Sequence, residues 1–314
     1  MRLRRWTAAV ATAIAIGAAG GPAAIAQAGE VRVEAIVSPG SEGQYVAFTA
    51  APGERNRVTV RYRAANSVRV QDTAGLVAGE GCTAESPTAV VCIVRANEFG
   101  DQWELGDMDD RLTIDGAPNG VSEGSSIDDG AGNDVVRGSA GDDSFFNGPG
   151  RDTLSGRGGD DTLFSGGGAD DLSGGAGRDT ASYDAPLGTP RRNGVRADLD
   201  GRADDGSAGE RDRIRIDVEN LDGTEFADRL SGNGRANEID GGGGADRIFG
   251  LGGNDVITGE LARATVDPGA GADRVDGGRI VRSRDGARDR VSSCGVAFAD
   301  RRDVVSGCRS VRRG

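Results

Sequence analysis

The chain has 314 residues, 54 of them glycine, a formal net charge of −13 and no histidine. Aromatic residues make up only 4% of the chain, which excludes a large aromatic-rich core. Without histidine there is no Ser-His triad, no Cys-His pair and no HExxH zinc site. The acidity suits cations as partners and argues against nucleic acid.

Residues 1–28 have the pattern of a secretory signal peptide. Arg2, Arg4 and Arg5 form a positive start, an apolar run comes next, and residues 26–28 offer a small-residue cleavage site. Glycine and proline at residues 20–22 interrupt the apolar run, which disfavours a membrane anchor. We therefore expect a secreted protein, extracellular or at the cell surface, that does not span a membrane once the signal is cleaved.

Four cysteines form two close pairs in the sequence, Cys82 with Cys92 and Cys294 with Cys308. Disulfides persist outside the cytoplasm, and four cysteines allow three connectivities, of which we expect the local one. A zinc site is disfavoured, because it would need all four sulfurs brought together from opposite ends of the chain.

Residues 29–118 are predicted to form a small β unit. Alternating apolar residues such as Val31 with Val33 and Val58 with Val60 indicate short strands, and glycine-containing turns separate them. The unit is either a separate sandwich domain or the capping coils of a longer solenoid. A degenerate repeat at residues 106–112 favours a gradual entry into that solenoid.

The first repeat array occupies residues 119–182 and becomes regular at residue 129. From there six blocks of nine residues succeed one another without insertion or loss. In each block position four is glycine, position six is aspartate and position eight is apolar. The position-six residues are Asp134, Asp143, Asp152, Asp161, Asp170 and Asp179.

Each block predicts a polar, glycine-rich turn and then a short strand around one inward-pointing apolar residue. Two blocks together enclose a core, so the coils should stack with a period of eighteen residues. Val136, Leu154 and Leu172 then form one inner ladder, and Phe145, Leu163 and Ala181 form the facing one.

The same stacking places position-six carboxylates above one another at about 5 Å, the spacing of strands. Each stacked pair repels by about 1 kcal/mol in water and by several at lower dielectric. A cation between the turns relieves this repulsion, and oxygen-only ligands select calcium over zinc or copper. A flexible glycine-rich linker would not keep strict phase over six blocks.

Residues 183–222 interrupt the repeats and are predicted to be irregular connecting coils, with alternation at Val195, Ala197 and Leu199 and at residues 214–218. The stretch at residues 198–201 faintly suggests an EF-hand loop. It lacks the third oxygen ligand and the closing glutamate, so we do not interpret it as one.

A second array occupies residues 223–276. Its apolar positions are intact, but position six is Asp228, Asn237, Asp246, Asp255, Ala264 and Asp273 in turn. Alanine offers no oxygen and asparagine a neutral one, so this array should depend less on calcium than the first.

Residues 277–314 no longer follow the nine-residue spacing of the arrays, and they contain ten arginines and four aspartates. They are predicted to form a disulfide-closed polar cap with solvated arginines. The alternative is a patch for an anionic polymer of the cell surface.

Both arrays resemble the calcium-binding nonapeptide repeats of RTX, or hemolysin-type, proteins. The resemblance implies an all-β fold, a right-handed parallel β-roll, with several Ca²⁺ ions held between coils by position-six aspartates and turn carbonyls. The residues that match are Asp134, Asp143, Asp152, Asp161, Asp170, Asp179, Asp228, Asp246, Asp255 and Asp273. The chain departs from the toxin and protease members in its amino-terminal signal and in the absence of a recognisable catalytic domain.

We expect a calcium-binding protein and not an enzyme. Paired acids such as Asp160 and Asp161 could serve a glycosidase, but they recur with the repeat, and calcium ligation explains them better. Two function classes remain: a structural or adhesive cell-surface protein that folds on calcium binding, and a polysaccharide-binding or enzyme-accessory module.

Overall fold

The computed structural model describes residues 29–38, 41–63, 67–93, 101–116, 123–184, 193–260, 263–283 and 285–314. The predicted signal peptide lies outside these residues. All named elements of the described part are β-strands. None of the described residues forms a helix long and apolar enough to cross a membrane.

The strands are short and closely spaced along the chain. The first ten are β1 (Gly29–Ser38), β2 (Ser41–Thr49), β3 (Arg57–Arg63), β4 (Ser67–Gln71), β5 (Leu76–Ala78), β6 (Cys82–Ser86), β7 (Ala89–Ile93), β8 (Gln102–Glu104), β9 (Arg111–Asp115) and β10 (Glu123–Asp128). The next twelve are β11 (Val135–Arg137), β12 (Asp142–Phe146), β13 (Pro149–Gly150), β14 (Thr153–Gly158), β15 (Thr162–Phe164), β16 (Gly167–Gly168), β17 (Asp171–Ala176), β18 (Thr180–Ser182), β19 (Arg196–Asp198), β20 (Ala203–Asp205), β21 (Asp212–Ile214) and β22 (Asn220–Asp222). The last eleven are β23 (Arg229–Ser231), β24 (Glu238–Asp240), β25 (Arg247–Phe249), β26 (Val256–Thr258), β27 (Thr265–Asp267), β28 (Arg274–Asp276), β29 (Ile280–Ser283), β30 (Arg290–Ser292), β31 (Val296–Ala299), β32 (Val304–Ser306) and β33 (Ser310–Arg313).

Three sheets account for nearly all of these strands. The long sheet has 14 strands in the order β32-β30-β28-β26-β24-β22-β18-β15-β12-β10-β8-β2-β1-β5. The N-terminal sheet has ten, in the order β20-β21-β17-β14-β11-β9-β3-β4-β7-β6, and the C-terminal sheet has seven, β19-β23-β25-β27-β29-β31-β33. Within the repeats, successive blocks alternate between the long sheet and one of the other two, as a coiled β-roll requires.

The eighteen-residue period and both inner ladders are confirmed. Val136 pairs with Leu154, which pairs with Leu172, in parallel register. On the other face Phe145 pairs with Leu163, which pairs with Ala181. All of these position-eight side chains are at most 1% exposed, and they belong to one continuous core. The apolar period of the sequence thus sets both the strand register and the core.

The N-terminal strands continue the sheets of the roll. Strands β1, β2 and β8 are hydrogen-bonded members of the long sheet, while β3, β4, β7 and β9 belong to the N-terminal sheet. Val58 pairs in parallel with Leu112, and Leu112 pairs with Val136 of the first array. These strands thus share two sheets with the first array, and the choice between capping coils and a separate sandwich stays a prediction.

The interruption at residues 183–222 affects the two faces differently. In the long sheet Ala181 pairs directly with Leu221, so that sheet continues through the interruption. On the opposite face β17 pairs with β21, and a new sheet then begins with β19 pairing β23. The expected alternation fails at Ile216, which is 60% exposed, because β21 ends at Ile214 and the chain turns there.

Both predicted disulfides are present. Cys82–Cys92 links β6 to β7 at the outer edge of the N-terminal sheet, and Cys294–Cys308 ties together the last coils. A sheet edge exposes unpaired backbone groups. Each disulfide therefore fastens one end of the roll, where the strands have no further coil to pair with.

Candidate metal centre

The ten predicted ligands are all buried, with exposed fractions of 4% or less. Each stands two residues before the inward apolar residue of its block. Because strand side chains alternate in direction, position six points to the same side as position eight, toward the interior of the turn. The carboxylates therefore lie inside the turns, where desolvation adds to the mutual repulsion expected from their stacking.

One oxygen of each stacked carboxylate is held by the backbone of the preceding coil. In the first array the N–H of Asp134 donates to Asp152 Oδ1 at 2.7 Å, and the N–H of Asp161 donates to Asp179 Oδ1 at 2.9 Å. In the second array the N–H of Asp255 donates to Asp273 Oδ1 at 2.8 Å. This ladder gives each aspartate a fixed orientation.

The second oxygen is left buried without a partner in most turns. Among the described residues, this holds for Oδ2 of Asp134, Asp152, Asp161, Asp179, Asp246, Asp255 and Asp273. We call these seven the open carboxylates. A buried, unpaired polar atom costs about 1–3 kcal/mol, and more when it is charged. A partner for these oxygens is therefore required by the fold.

Turn glycines let the carboxylate lie close against the backbone of the turn. A Cβ built on Gly156 would collide with Asp161 Oδ2 and would lie 2.6 Å from the carbonyl oxygen of Gly174. A Cβ on Gly250 would collide with Asp255 Oδ2 and with the carbonyl oxygen of Pro268. A carboxylate oxygen and a carbonyl oxygen of the next coil thus lie close to the same turn glycine. Oxygen donors alone suit a calcium ion, so the residues present fit calcium.

Burial raises the pKa of every open carboxyl, and the backbone N–H donor only partly offsets this effect. The pKa of Asp161 is raised to about 8, and those of Asp134 and Asp255 to about 7. The pKa values of the remaining four, Asp152, Asp179, Asp246 and Asp273, are raised to about 6. Without a cation, these groups therefore ionise at higher pH than an ordinary aspartate, and Asp161 stays mostly protonated at neutral pH.

Three of the predicted ligands have both oxygens engaged by the protein itself. Asp143 accepts from the N–H and the hydroxyl of Ser139, at 2.6 and 3.0 Å. Asp228 accepts in the same way from Thr224, at 2.7 and 2.9 Å. Asp170 Oδ2 accepts from Asn147 Nδ2 at 2.9 Å. The structure thus places these three residues at position six as predicted, but in closed turns.

In the second array the two substituted positions need no cation. Asn237 Oδ1 accepts from the N–H of Asn233 at 2.8 Å, and its Nδ2 donates to the carbonyl of Glu219 at 2.7 Å. Ala264 is buried and offers no side-chain oxygen. That this array depends less on calcium stays a prediction.

Stacked aspartates outside the regular phase were not predicted from the sequence. Asp110 and Asp212 accept from the N–H groups of Asn56 and Asp170, and Asp289 accepts from that of Asp273. Asp303 in turn accepts from the N–H of Asp289 at 3.2 Å. Each has an apolar residue two positions later: Leu112, Ile214, Val291 and Val305. A search for Asp-x-apolar without fixed spacing would have found them.

The stretch that faintly suggested an EF-hand forms a surface acidic cluster. Carboxylate oxygens of Asp198, Asp200 and Asp204 lie within 4.8 Å of one another. Arg196 pairs with Asp198 and Asp204 at 3.1 and 2.8 Å, and Arg202 pairs with Asp200 at 3.1 Å. Arginine side chains therefore already supply positive charge to all three carboxylates.

Comparison with known protein families agrees with this geometry. The family model described as the RTX calcium-binding nonapeptide repeat matches residues 120–154, 146–181 and 222–257. No curated protein matches the chain. The chain therefore contains RTX-type calcium-binding repeats, and these repeats form a β-roll.

Proposed function

We propose that this chain is a secreted, non-catalytic protein that completes its fold only with several bound calcium ions and serves as a structural or adhesive element outside the cell. The observation that carries this proposal is the set of seven open carboxylates. At about 1–3 kcal/mol each, their unpaired oxygens together cost as much as the roughly 5–15 kcal/mol stability of a whole domain. Calcium removes that cost, so ion binding and folding are coupled.

Export is supported by the signal-like start and by the disulfide at each end of the roll. A cell interior holds too little free calcium to fill such sites, whereas extracellular sites work with affinities of about 10⁻⁴–10⁻³ M. A roll that stiffens on meeting millimolar calcium suits a protein that acts after secretion.

A non-catalytic role is supported by what the paired acids do. Asp161 lies inside its turn, whereas Asp160 is exposed and accepts from the N–H of Arg178 at 2.8 Å. Asp142 accepts from the N–H of Asp160 at 2.8 Å, one coil earlier. One acid of the pair is thus buried and the other exposed, and both accept hydrogen bonds from backbone N–H groups of a neighbouring coil.

The test uses the full chain without residues 1–28. Circular dichroism and urea unfolding are recorded with a calcium chelator, with millimolar calcium and with millimolar magnesium as the control. We expect a large gain of β-structure and a higher unfolding midpoint in calcium, and little change in magnesium. Equal unfolding curves in chelator and in calcium would overturn the proposal.

A polysaccharide-binding module is the second candidate, and the C-terminal sheet favours it. Arg229 and Arg247 are exposed register partners there, and Arg229 lies 4.8 Å from the ring centre of Phe249. Arginine beside an aromatic ring suits an acidic sugar chain. Pull-down on acidic cell-wall polysaccharide, with calcium and with chelator, tests this, and R229A/R247A is the variant expected to lose retention. Failure of the wild-type protein to bind would exclude the module.

A further inference from the structure

In two of the three closed turns, those of Asp143 and Asp228, position two of the nonapeptide is a hydroxyl residue. In the third, that of Asp170, position two is Gly166 and Asn147 closes the turn instead. Ser139 and Thr224 each donate an N–H and a hydroxyl to the aspartate four residues later. Each hydroxyl also accepts from the N–H two residues on, at 3.0 Å in both turns. The N–H of Asn233 likewise donates to Asn237 Oδ1, and Asn233 Oδ1 accepts from the N–H of Arg235. With a short polar residue at position two, the N–H of that residue thus donates to the position-six side chain of the same block.

The open turns have a different backbone at position two. In six of the seven, this residue has a left-handed φ between 61° and 115°: Gly130, Arg157, Gly175, Gly242, Leu251 and Gly269. The exception is Gly148, whose N–H donates to Asp129 at 2.8 Å and therefore not to Asp152. None of Ser139, Thr224 and Asn233 has a positive φ. A left-handed φ at position two thus accompanies an open carboxylate at position six, and Gly148 is the one exception among these turns.

Two of the open turns hold this conformation against a steric cost. Arg157 has φ 82° and Leu251 has φ 74°, although left-handed backbone is uncommon for residues with a Cβ. Leu251 has no polar side-chain group that would favour a left-handed backbone. It is also 55% exposed, so packing of its side chain does not explain this conformation. Strain of about 1–3 kcal/mol persists only where the surroundings impose it.

We propose that the residue at position two decides whether a turn takes a calcium ion, with the exception of the Asp170 turn, which Asn147 closes. Serine, threonine or asparagine there closes the turn on its own aspartate and replaces the ion, whereas a left-handed residue leaves Oδ2 free for it. This inference rests on the proposed calcium function and adds a residue-level rule. It places calcium-independent turns at Asp143 and Asp228, the second block of the first array and the first block of the second.

The test uses one variant designed to open a closed turn and one designed to close an open turn. Both are made in the full chain without residues 1–28, and calcium binding is measured by isothermal titration calorimetry with calcium chloride. S139G removes the hydroxyl and permits left-handed φ, and A140G is its matched control at the neighbouring position. L251S supplies a hydroxyl where leucine now stands left-handed, and L251A is its control. We expect S139G to bind about one more ion per chain and L251S to bind about one fewer, with both controls unchanged.

A second readout does not use calcium. Hydrogen exchange in chelator should become faster at residues 138–146 in S139G, because the hydroxyl that held Asp143 is gone, and should stay unchanged in A140G. If the wild type binds calcium and both S139G and L251S bind the same number of ions as it does, the position-two rule is wrong while the calcium function stands. If the wild type binds no calcium, both fail.

Discussion

The backbone N–H of Asp161 donates to Oδ1 of Asp179 at 2.9 Å, eighteen residues further along the chain. Oδ2 of Asp179 is buried and has no partner among the described residues. One side chain therefore performs two tasks, because it fixes the register of neighbouring coils with one oxygen and offers the other to an ion. Under the proposed function, this side chain therefore couples coil register to ion binding.

Replacing an open aspartate should lower calcium binding selectively. Asp161→Asn keeps the side-chain shape but removes the charge, so we expect about one ion fewer per chain, or affinity for it reduced about tenfold or more, roughly 1.4 kcal/mol. Asp143→Asn, in a closed turn, is the matched control and should bind as many ions as the wild type. Titration calorimetry measures both, and equal loss in the two variants would contradict the distinction.

The calcium-free protein should become less stable as pH rises. The folded pKa values of Asp161, Asp134 and Asp255 are raised to about 8, 7 and 7, above the ordinary value of 3.8. Protonated carboxyls suit the buried turns, so the stability that they contribute is fully present below about pH 4. It is lost progressively as pH rises from about 4 to about 8. Urea midpoints measured in chelator should therefore fall from acidic to mildly alkaline pH.

Calcium should reverse this trend. Binding requires ionised carboxylates and so releases protons, and the stabilisation that calcium provides should grow over the same pH range. Proton release is measured by titrating calcium into weakly buffered protein at about pH 6. Calcium binding without any proton release at that pH would mean that the raised pKa values are wrong.

Reduction of the disulfides should loosen the ends of the roll and leave its middle intact. Cys294–Cys308 closes a loop of fourteen residues, for which the expected contribution is about 3 kcal/mol, and Cys82–Cys92 closes one of ten. In calcium-loaded protein, the C294S/C308S variant should exchange backbone hydrogens faster than the wild type over residues 277–314. Over residues 129–182 the two proteins should exchange at the same rate. Uniform acceleration along the chain would show instead that the roll unfolds as one unit.

Truncating a ladder residue should be costly even with calcium bound. Ile248 is fully buried between Leu230 and Val266, so Ile248→Ala should lower the free energy of unfolding by about 2–5 kcal/mol. Ile216→Ala, at a residue that is 60% exposed, is the control and should change it by less than about 0.5 kcal/mol. Both values come from urea unfolding in saturating calcium.

Features that depend on period and proximity could be predicted from the sequence. Strict nine-residue spacing predicts which residues point inward, and the structure pairs Val136 with Leu154 and Phe145 with Leu163 as expected. Sequence separation also identified both disulfides, because each pair closes a short loop. A sequence displays both kinds of information directly.

Features that depend on local hydrogen bonds could not be predicted. Asp143 matches the repeat as well as Asp161 does, yet Ser139 satisfies it, and the role of that serine becomes visible only through its hydrogen bonds. Coils of irregular length hid Asp212 and Asp289, since a search with a fixed period misses a coil that gains or loses residues. The direction of the aspartates into the turn was likewise not predicted.

The most direct test of the central claim is an anomalous difference map from a crystal of the calcium-loaded protein. We expect peaks beside Oδ2 of the open carboxylates, such as Asp161 and Asp255, each also close to a carbonyl oxygen of the neighbouring coil. We expect no peak beside Asp143 or Asp228. A map with ions only at exposed acids such as Asp200, and none inside the turns, would contradict the coupling of calcium to the fold.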